Sequence, residues 1–200
     1  RHGIHFLRRD ARVFICTSST PGQGKTFVST NIAVALAMTG KRVLLVDGDI
    51  RRRTLSCKFR STAGLTGILI EEDDAPISLA ENVVVDAIYK GVDLLPSGIQ
   101  PPSPAELLMS ERLEKFVEVA RASYDYIIFD ATPAFAVADA EILSRVSDLM
   151  LYIIRVGVQD RNFLPDLEKF HKSGRFKNIS LISNDTEKKT PNGYGYGYSL

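Results

Sequence analysis

"TSSTPGQGKT", residues 17–26, lies between an apolar run and a segment of helical period. The Walker A pattern asks for glycine, four residues, then Gly-Lys-Ser/Thr, set between a strand and a helix. Gly24, Lys25 and Thr26 satisfy its end, and Ser19 stands at its first position. Gly22 and Gly24 leave room for the backbone to curl round a phosphate, while the helix N-terminus turns free amides and a positive dipole end toward the anion. The nucleotide is thus assigned to Pro21, Gly22, Gln23, Gly24, Lys25, Thr26 and Phe27. Lys25 should reach the β- and γ-phosphates of the nucleotide, and Thr26 should ligate Mg²⁺. Serine in place of glycine at position 19 asks only for a backbone angle open to ordinary residues and removes no donor.

The flanking sequence supplies the strand and the helix. "RVFICTS" (12–18) and "RVLLVD" (42–47) read as buried strands. Between them Val28, Ile32 and Leu36 recur at helical spacing from Lys25 to Met38, and Gly40 is a stop signal. Further on, "YDYIIFD" (124–130) is a third central strand, 139–147 a helix and "LMLYIIRV" (149–156) a strand. A helix over 161–172 with Pro165 near its start and the strand "NISLIS" (178–183) complete the series. In "GIQPPSPAELL", Ser103 as N-cap, Pro104 at the first helical position and Glu106 closing a capping box predict a helix running to about Ser123. The stretch from Ile50 to Gly98 is less regular, with charge runs at 51–53 and 71–74, a short helix near 65–70 and a strand ending at Leu95. Apolar strands alternating with helices predict an α/β fold: three layers, a doubly wound and mostly parallel sheet, a P-loop, and helices on both faces.

Two hundred residues, 44% of them apolar, suffice for one globular unit, which we place at residues 1–184. Residues 185–200, ending "PNGYGYGYSL", carry charges and then alternating Gly and Tyr; they cannot bury a core and read as a flexible tail. With 25 Lys plus Arg against 24 Asp plus Glu, no overall field draws the chain to nucleic acid. Cys16 and Cys57 have no metal-ligand spacing and read as reduced thiols. His2, His5 and His171 form no triad or metal pattern, and Arg52 and Arg53 read as a solvated loop face able to attract an acidic or phosphorylated segment. No apolar run approaches the roughly 20 residues a bilayer span needs. The chain opens on Arg1 rather than methionine, which suggests a piece of something longer, with any membrane segment upstream.

Two further strands end in acids. Asp47 and Asp49 follow the second, at the carboxyl edge where a parallel sheet presents its ligand crevice. Asp130 ends the third and fits a Walker B acid serving Mg²⁺.

These elements, in this order, resemble the bacterial tyrosine kinases, the autophosphorylating kinases of capsule and exopolysaccharide export. Their loop is matched by Ser18, Pro21, Gly24, Lys25 and Thr26, their Asp-x-Asp-x-Arg motif by Asp47, Asp49 and Arg51, and their Asp-x-x-Pro motif by Asp130 and Pro133. The stretch "LPSGIQPPSPAELL" is also similar, and Tyr194, Tyr196 and Tyr198 supply the family's C-terminal tyrosine cluster. Partitioning and septum-positioning ATPases share the fold, but their loop carries an extra lysine where this chain has Thr20.

The resemblance implies an ATP- and Mg²⁺-dependent protein-tyrosine autokinase. Catalysis would rest on Lys25, Asp47, Asp49 and Asp130: Asp47 orienting the acceptor hydroxyl and taking its proton late, Asp49 and Asp130 serving the metal together with Thr26, the roles of Asp47 and Asp49 being exchangeable. Asn184, ending the last strand, would contact adenine. The acceptors would be Tyr194, Tyr196 and Tyr198, phosphorylated between subunits of a homo-oligomeric ring. The family's ring motif, Glu-x-x-Arg-x-x-Arg before the first strand, survives at most as Arg1. A membrane polysaccharide co-polymerase or activator segment, fused or separate, and a tyrosine phosphatase are the implied partners, and a cytoplasmic domain tethered to the inner membrane the implied location. The alternative is a partitioning-type switch, in which ATP governs docking and no tyrosine is modified.

Overall fold

A computed structural model describes residues 11–58, 63–72, 74–158, 164–172 and 178–186. Seven strands form one sheet: β1 (Val13–Ser18), β2 (Val43–Asp47), β3 (Val84–Tyr89), β4 (Val92–Leu95), β5 (Tyr126–Asp130), β6 (Leu149–Arg155) and β7 (Ile179–Asn184). Their spatial order is β3-β4-β2-β5-β1-β6-β7. Every pairing is parallel except β3 with β4. Among the described residues six α-helices accompany them: α1 (Lys25–Ala37), α2 (Leu65–Ile70), α3 (Pro104–Leu108), α4 (Glu111–Ser123), α5 (Asp139–Ser144) and α6 (Leu164–Lys172). Among the described residues no helix is long and apolar enough to cross a membrane.

Side chains alternate across a strand, so a sheet buried on both faces needs apolar residues at every position. β1 shows it: Val13 and Ile15 join one apolar cluster with Leu44, Val46, Phe116 and Phe129, whereas Phe14 and Cys16 join another with Val43, Leu45, Val28 and Ala33. α1 covers the second face, and residues of α2, α4 and α5 cover the first. The three-layer expectation is met.

The sheet order positions the site. β2, β5 and β1 are neighbours, with Asp47 in register with Asp130 and Asp130 in register with Cys16. Parallel strands lie about 4.8 Å apart, so the two strand-end acids and the loop leaving β1 meet at one edge.

Three local findings depart from the sequence reading. The helix expected from Pro104 to Ser123 is two helices, interrupted at Met109 and Ser110, where Ser110 adopts an extended conformation. Leu108 and Leu113 would sit about 140° apart on one continuous helix, and the interruption lets both be buried. Ser103 makes no side-chain cap hydrogen bond, so the capping box is not formed. β3 was not anticipated; it is a half-exposed antiparallel edge whose register shifts, with Asp86 at φ 48.

Candidate functional site

The residues after β1 wrap a cavity of about 320 Å³ at the carboxyl edge of the sheet. Gly22 and Gly24 both adopt positive φ, 82° and 90°, where L side chains are strained. Gly24 has a second reason to lack a side chain, since a Cβ there would overlap the Asn184 amide. That amide donates to the Gln23 carbonyl at 3.0 Å. The Gln23 side chain is itself buried; its Nε2 donates to Thr20 Oγ1 at 3.0 Å, and its Oε1 accepts from the Arg155 backbone N–H at 2.7 Å. The loop is thus braced from β7 and β6 before any phosphate arrives.

Lys25 and Thr26 open α1 and line the cavity, together with the exposed loop residues Pro21 and Gly22 and the exposed ring of Phe27. From the opposite wall come Asp49 and Asp130. Thr26 Oγ1 donates to Asp130 Oδ2 at 2.6 Å, the contact that joins the loop to the strand-end acid. Ala131 and Pro133 complete this side, and backbone bonds from Ala131 to Cys16 and from Ala134 to Ser18 hold the segment after β5 against β1.

Asp47 is placed differently. It is fully buried and does not line the cavity. Its Oδ2 accepts from the Ser56 backbone N–H at 2.7 Å and from the Ser56 hydroxyl, which in turn accepts from the Ser97 N–H at 2.8 Å. Its Oδ1 has no partner among the described residues, and neither has Asp130 Oδ1. Burial raises the affinity of both carboxyls for a proton: it pushes Asp130 up to about 7, against the Thr26 hydrogen bond, and raises Asp47 against its bonds from Ser56. Burial also lowers Lys25, with Asp130 and Asp49 opposing.

A buried carboxylate oxygen without a donor is costly, and a bound cation relieves it. Among the described residues no cluster of three His, Cys, Asp or Glu could hold a metal by itself. Mg²⁺ needs no such cluster, being held by one or two protein oxygens plus water and phosphate. The donor set of Thr26 and strand-end carboxylates beside a phosphate loop has this character.

Asn184 sits against the loop, its amide engaged with Gln23, and is not among the cavity-lining residues. Tyr194, Tyr196 and Tyr198 lie outside the described residues, as does Arg1. Thr54, Ser56 and Asp139 escaped the sequence reading, and Arg52 entered it only as part of a solvated loop face. Arg52 and Thr54 line the cavity, Ser56 holds Asp47, and Asp139 receives Arg51 in a two-pronged ion pair of 2.7 and 3.0 Å. The arginine run and the Asp-x-Asp-x-Arg spacing were the available signals.

A phosphate loop between β1 and α1, answered by acids at the ends of β2 and β5 of a parallel sheet, defines a P-loop ATPase. Residues 12–171 match the family described as AAA domain. The chain is 35% identical over 200 residues to the tyrosine-protein kinase YwqD of Bacillus subtilis (strain 168), covering 98% of this chain and 82% of that one. It is 33% identical over 202 residues to the EpsB protein of Ralstonia solanacearum, covering 99% of this chain but only 26% of that longer one. In three dimensions it resembles the kinase domain of the Escherichia coli tyrosine kinase ETK, with a TM-score of 0.79 and 30% identity, covering 97% of this chain and 75% of that one. The chain belongs to the bacterial tyrosine-kinase family of P-loop ATPases.

Proposed function

We propose that this chain is an ATP-dependent protein-tyrosine kinase serving extracellular polysaccharide or capsule export, and that it phosphorylates its own cluster at Tyr194, Tyr196 and Tyr198. The observation that carries the proposal is the meeting of Lys25, Thr26, Asp49 and Asp130 around one cavity in a chain whose relatives are tyrosine kinases. Neutral Thr20, where partitioning ATPases place a lysine, favours transfer to a protein hydroxyl over their dimer-dependent hydrolysis.

The residues divide the work as follows. The loop amides and Lys25 cradle the β- and γ-phosphates. Thr26 and the strand-end carboxylates would hold Mg²⁺, which would supply positive charge to the terminal phosphates. The acceptor tyrosine oxygen forms a bond to the γ-phosphorus as the bond to the β–γ bridging oxygen breaks and ADP leaves. The tyrosine proton passes to a carboxylate. A phenol near pKa 10 loses its proton to an acid near 3.9 only once phosphorus–oxygen bonding has acidified it, so transfer is late. Cavity lining favours Asp49 as the acid that meets the hydroxyl, since Asp47 does not line it and lies beside Asp130. Asn184 acts on the nucleotide through the loop it braces.

The tail is long enough to leave its own subunit. From Asn184 to Tyr198 is 14 residues, which extended span roughly 50 Å. We assign transfer to a neighbouring copy, with a membrane co-polymerase segment as activator and a tyrosine phosphatase as the reversing partner.

Incubation with Mg-ATP followed by mass-spectrometric phosphate mapping tests the reading. Phosphate on Tyr194, Tyr196 or Tyr198, abolished by Lys25→Met, is the expected result. ATP turnover with release of free phosphate alone would mark a nucleotide switch instead.

A further inference from the structure

Three consecutive arginines follow Asp49 in the turn after β2, and each side chain has a different fate. Arg51 is committed to Asp139 through both Nε and Nη2. Arg53, at φ 54, donates from Nε to Ser97 Oγ at 3.2 Å. Arg52 lines the nucleotide cavity with Lys25, Thr26, Asp49 and Asp130, and its guanidinium makes no hydrogen bond or ion pair among the described residues. Its backbone is nevertheless fixed. The Arg52 N–H donates to Asp49 Oδ1 at 3.0 Å, and the Arg53 N–H donates to the Asp49 carbonyl at 2.7 Å. The side chain therefore hangs from a turn built on one of the cavity's own acids, with its charged end uncommitted.

Two cations on one cavity repel each other, and Arg52 is among the influences that lower Lys25, after burial. An anion between them reverses the sign of that interaction. The loop contributes no second cation of its own, because Thr20 is neutral and its hydroxyl is occupied by Gln23. A planar guanidinium with several donors matches the oxygens of a phosphoryl group better than any other side chain.

We propose that Arg52 is a catalytic residue whose guanidinium contacts the terminal phosphoryl group of ATP and supplies, within the same chain, the second positive charge on the group being transferred. As the bond between the γ-phosphorus and the bridging oxygen breaks, that charge stays on the equatorial oxygens while the tyrosine oxygen closes from the other side. The proposal rests on the kinase reading above but makes a separate prediction, discrimination between ATP and ADP.

The experiment titrates wild-type protein, Arg52→Ala, Arg52→Lys and Arg53→Ala with Mg-ATP and with Mg-ADP by calorimetry, after circular dichroism has established that each variant is folded. It then follows single-turnover loss of the γ-phosphate. A charge-assisted contact made only by the γ-phosphate predicts that Arg52→Ala loses about tenfold or more in Mg-ATP affinity, with Mg-ADP affinity changed less than about twofold. Single-turnover rate should fall by about 10²–10³. Arg52→Lys should recover part of both, and Arg53→Ala should keep the wild-type ratio of the two affinities. An unchanged ratio in Arg52→Ala, or an equal loss in Arg53→Ala, would overturn the assignment, the latter by showing a general charge effect. The kinase reading fails in a different way, through absence of phosphotyrosine in the wild type, and the two affinities report on Arg52 even then.

Discussion

Replacing Asp130 with asparagine should stabilise the nucleotide-free protein above neutral pH and leave it unchanged in acid. Asp130 is 2% exposed, its Oδ1 has no donor among the described residues, and burial lifts its carboxyl from an ordinary 3.8 to about 7. A carboxyl whose folded value lies above its unfolded value binds an extra proton in the folded state between the two, so its contribution favours folding below about pH 4 and is lost as pH rises through about 7. The separation, at about 1.4 kcal/mol per pH unit, places the ceiling on the order of 4 kcal/mol at pH 8. Asparagine has the shape of the protonated acid and can still accept from Thr26. Asp47 beside it adds to the unfavourable field, so the gain is a fraction of that ceiling, read as a rise of a few degrees in the unfolding midpoint of a chain this size. Thermal unfolding in EDTA at pH 8 and at pH 4.5 measures it: a clear gain at pH 8, shrinking toward zero at pH 4.5, together with lost Mg-ATP binding. A variant no more stable than wild type at pH 8, or a gain independent of pH, would refute the account of a buried, donor-starved carboxylate.

Three other substitutions probe the same architecture. Gly24→Ala meets both a φ of 90° and the Asn184 amide, so nucleotide affinity by calorimetry should fall at least about tenfold, and adding Asn184→Ala should recover only the steric part. Arg51→Ala leaves fully buried Asp139 without its two-pronged partner and should lower unfolding free energy in urea by about 3 kcal/mol, the low end for a broken buried pair because Arg51 itself is partly exposed. Phe116→Ala removes a fully buried ring that packs edge-on against Phe129 at 6.4 Å between centroids, and should cost about 3–5 kcal/mol by the same measurement without altering the ATP-to-ADP affinity ratio.

What the sequence disclosed was whatever is local. The phosphate loop declares itself because its function requires glycines and a lysine at fixed spacing between a strand and a helix, and Asp47, Asp49 and Asp130 because a parallel sheet brings strand ends to one edge. The interruption of the helix at Ser110 was hidden, since "PAELLMSERLEKF" keeps helical period until burial of both Leu108 and Leu113 is required. β3 was hidden for the opposite reason: an edge strand with one exposed side and a shifted register lacks the continuous apolar run that marked the central strands. The ion pair from Arg51 to Asp139 spans 88 residues, and nothing in either neighbourhood names the other. The loop side of Asp47 was equally silent, because a serine nine residues on is ordinary until the turn folds back.

These distant contacts share a purpose that the motif residues alone do not reveal. Asp47 and Asp49 both lie close enough to Asp130 to raise it, with Lys25 opposing, and among the described residues Asp47 and Asp130 each keep one oxygen without a donor. Ser56 and Ser97 pin the turn after β2 through Asp47, Arg51 pins it to the start of α5 through Asp139, and Thr26 pins the strand end to α1. Each of these partners is distant in sequence, so the folded chain itself holds the three acids together. Ser56, Ser97, Arg51 and Asp139 lie outside the cavity, whereas Thr26, Asp49 and Asp130 line it and Asp47 lies beneath them, so the proposed nucleotide site is set by contacts that no motif contains.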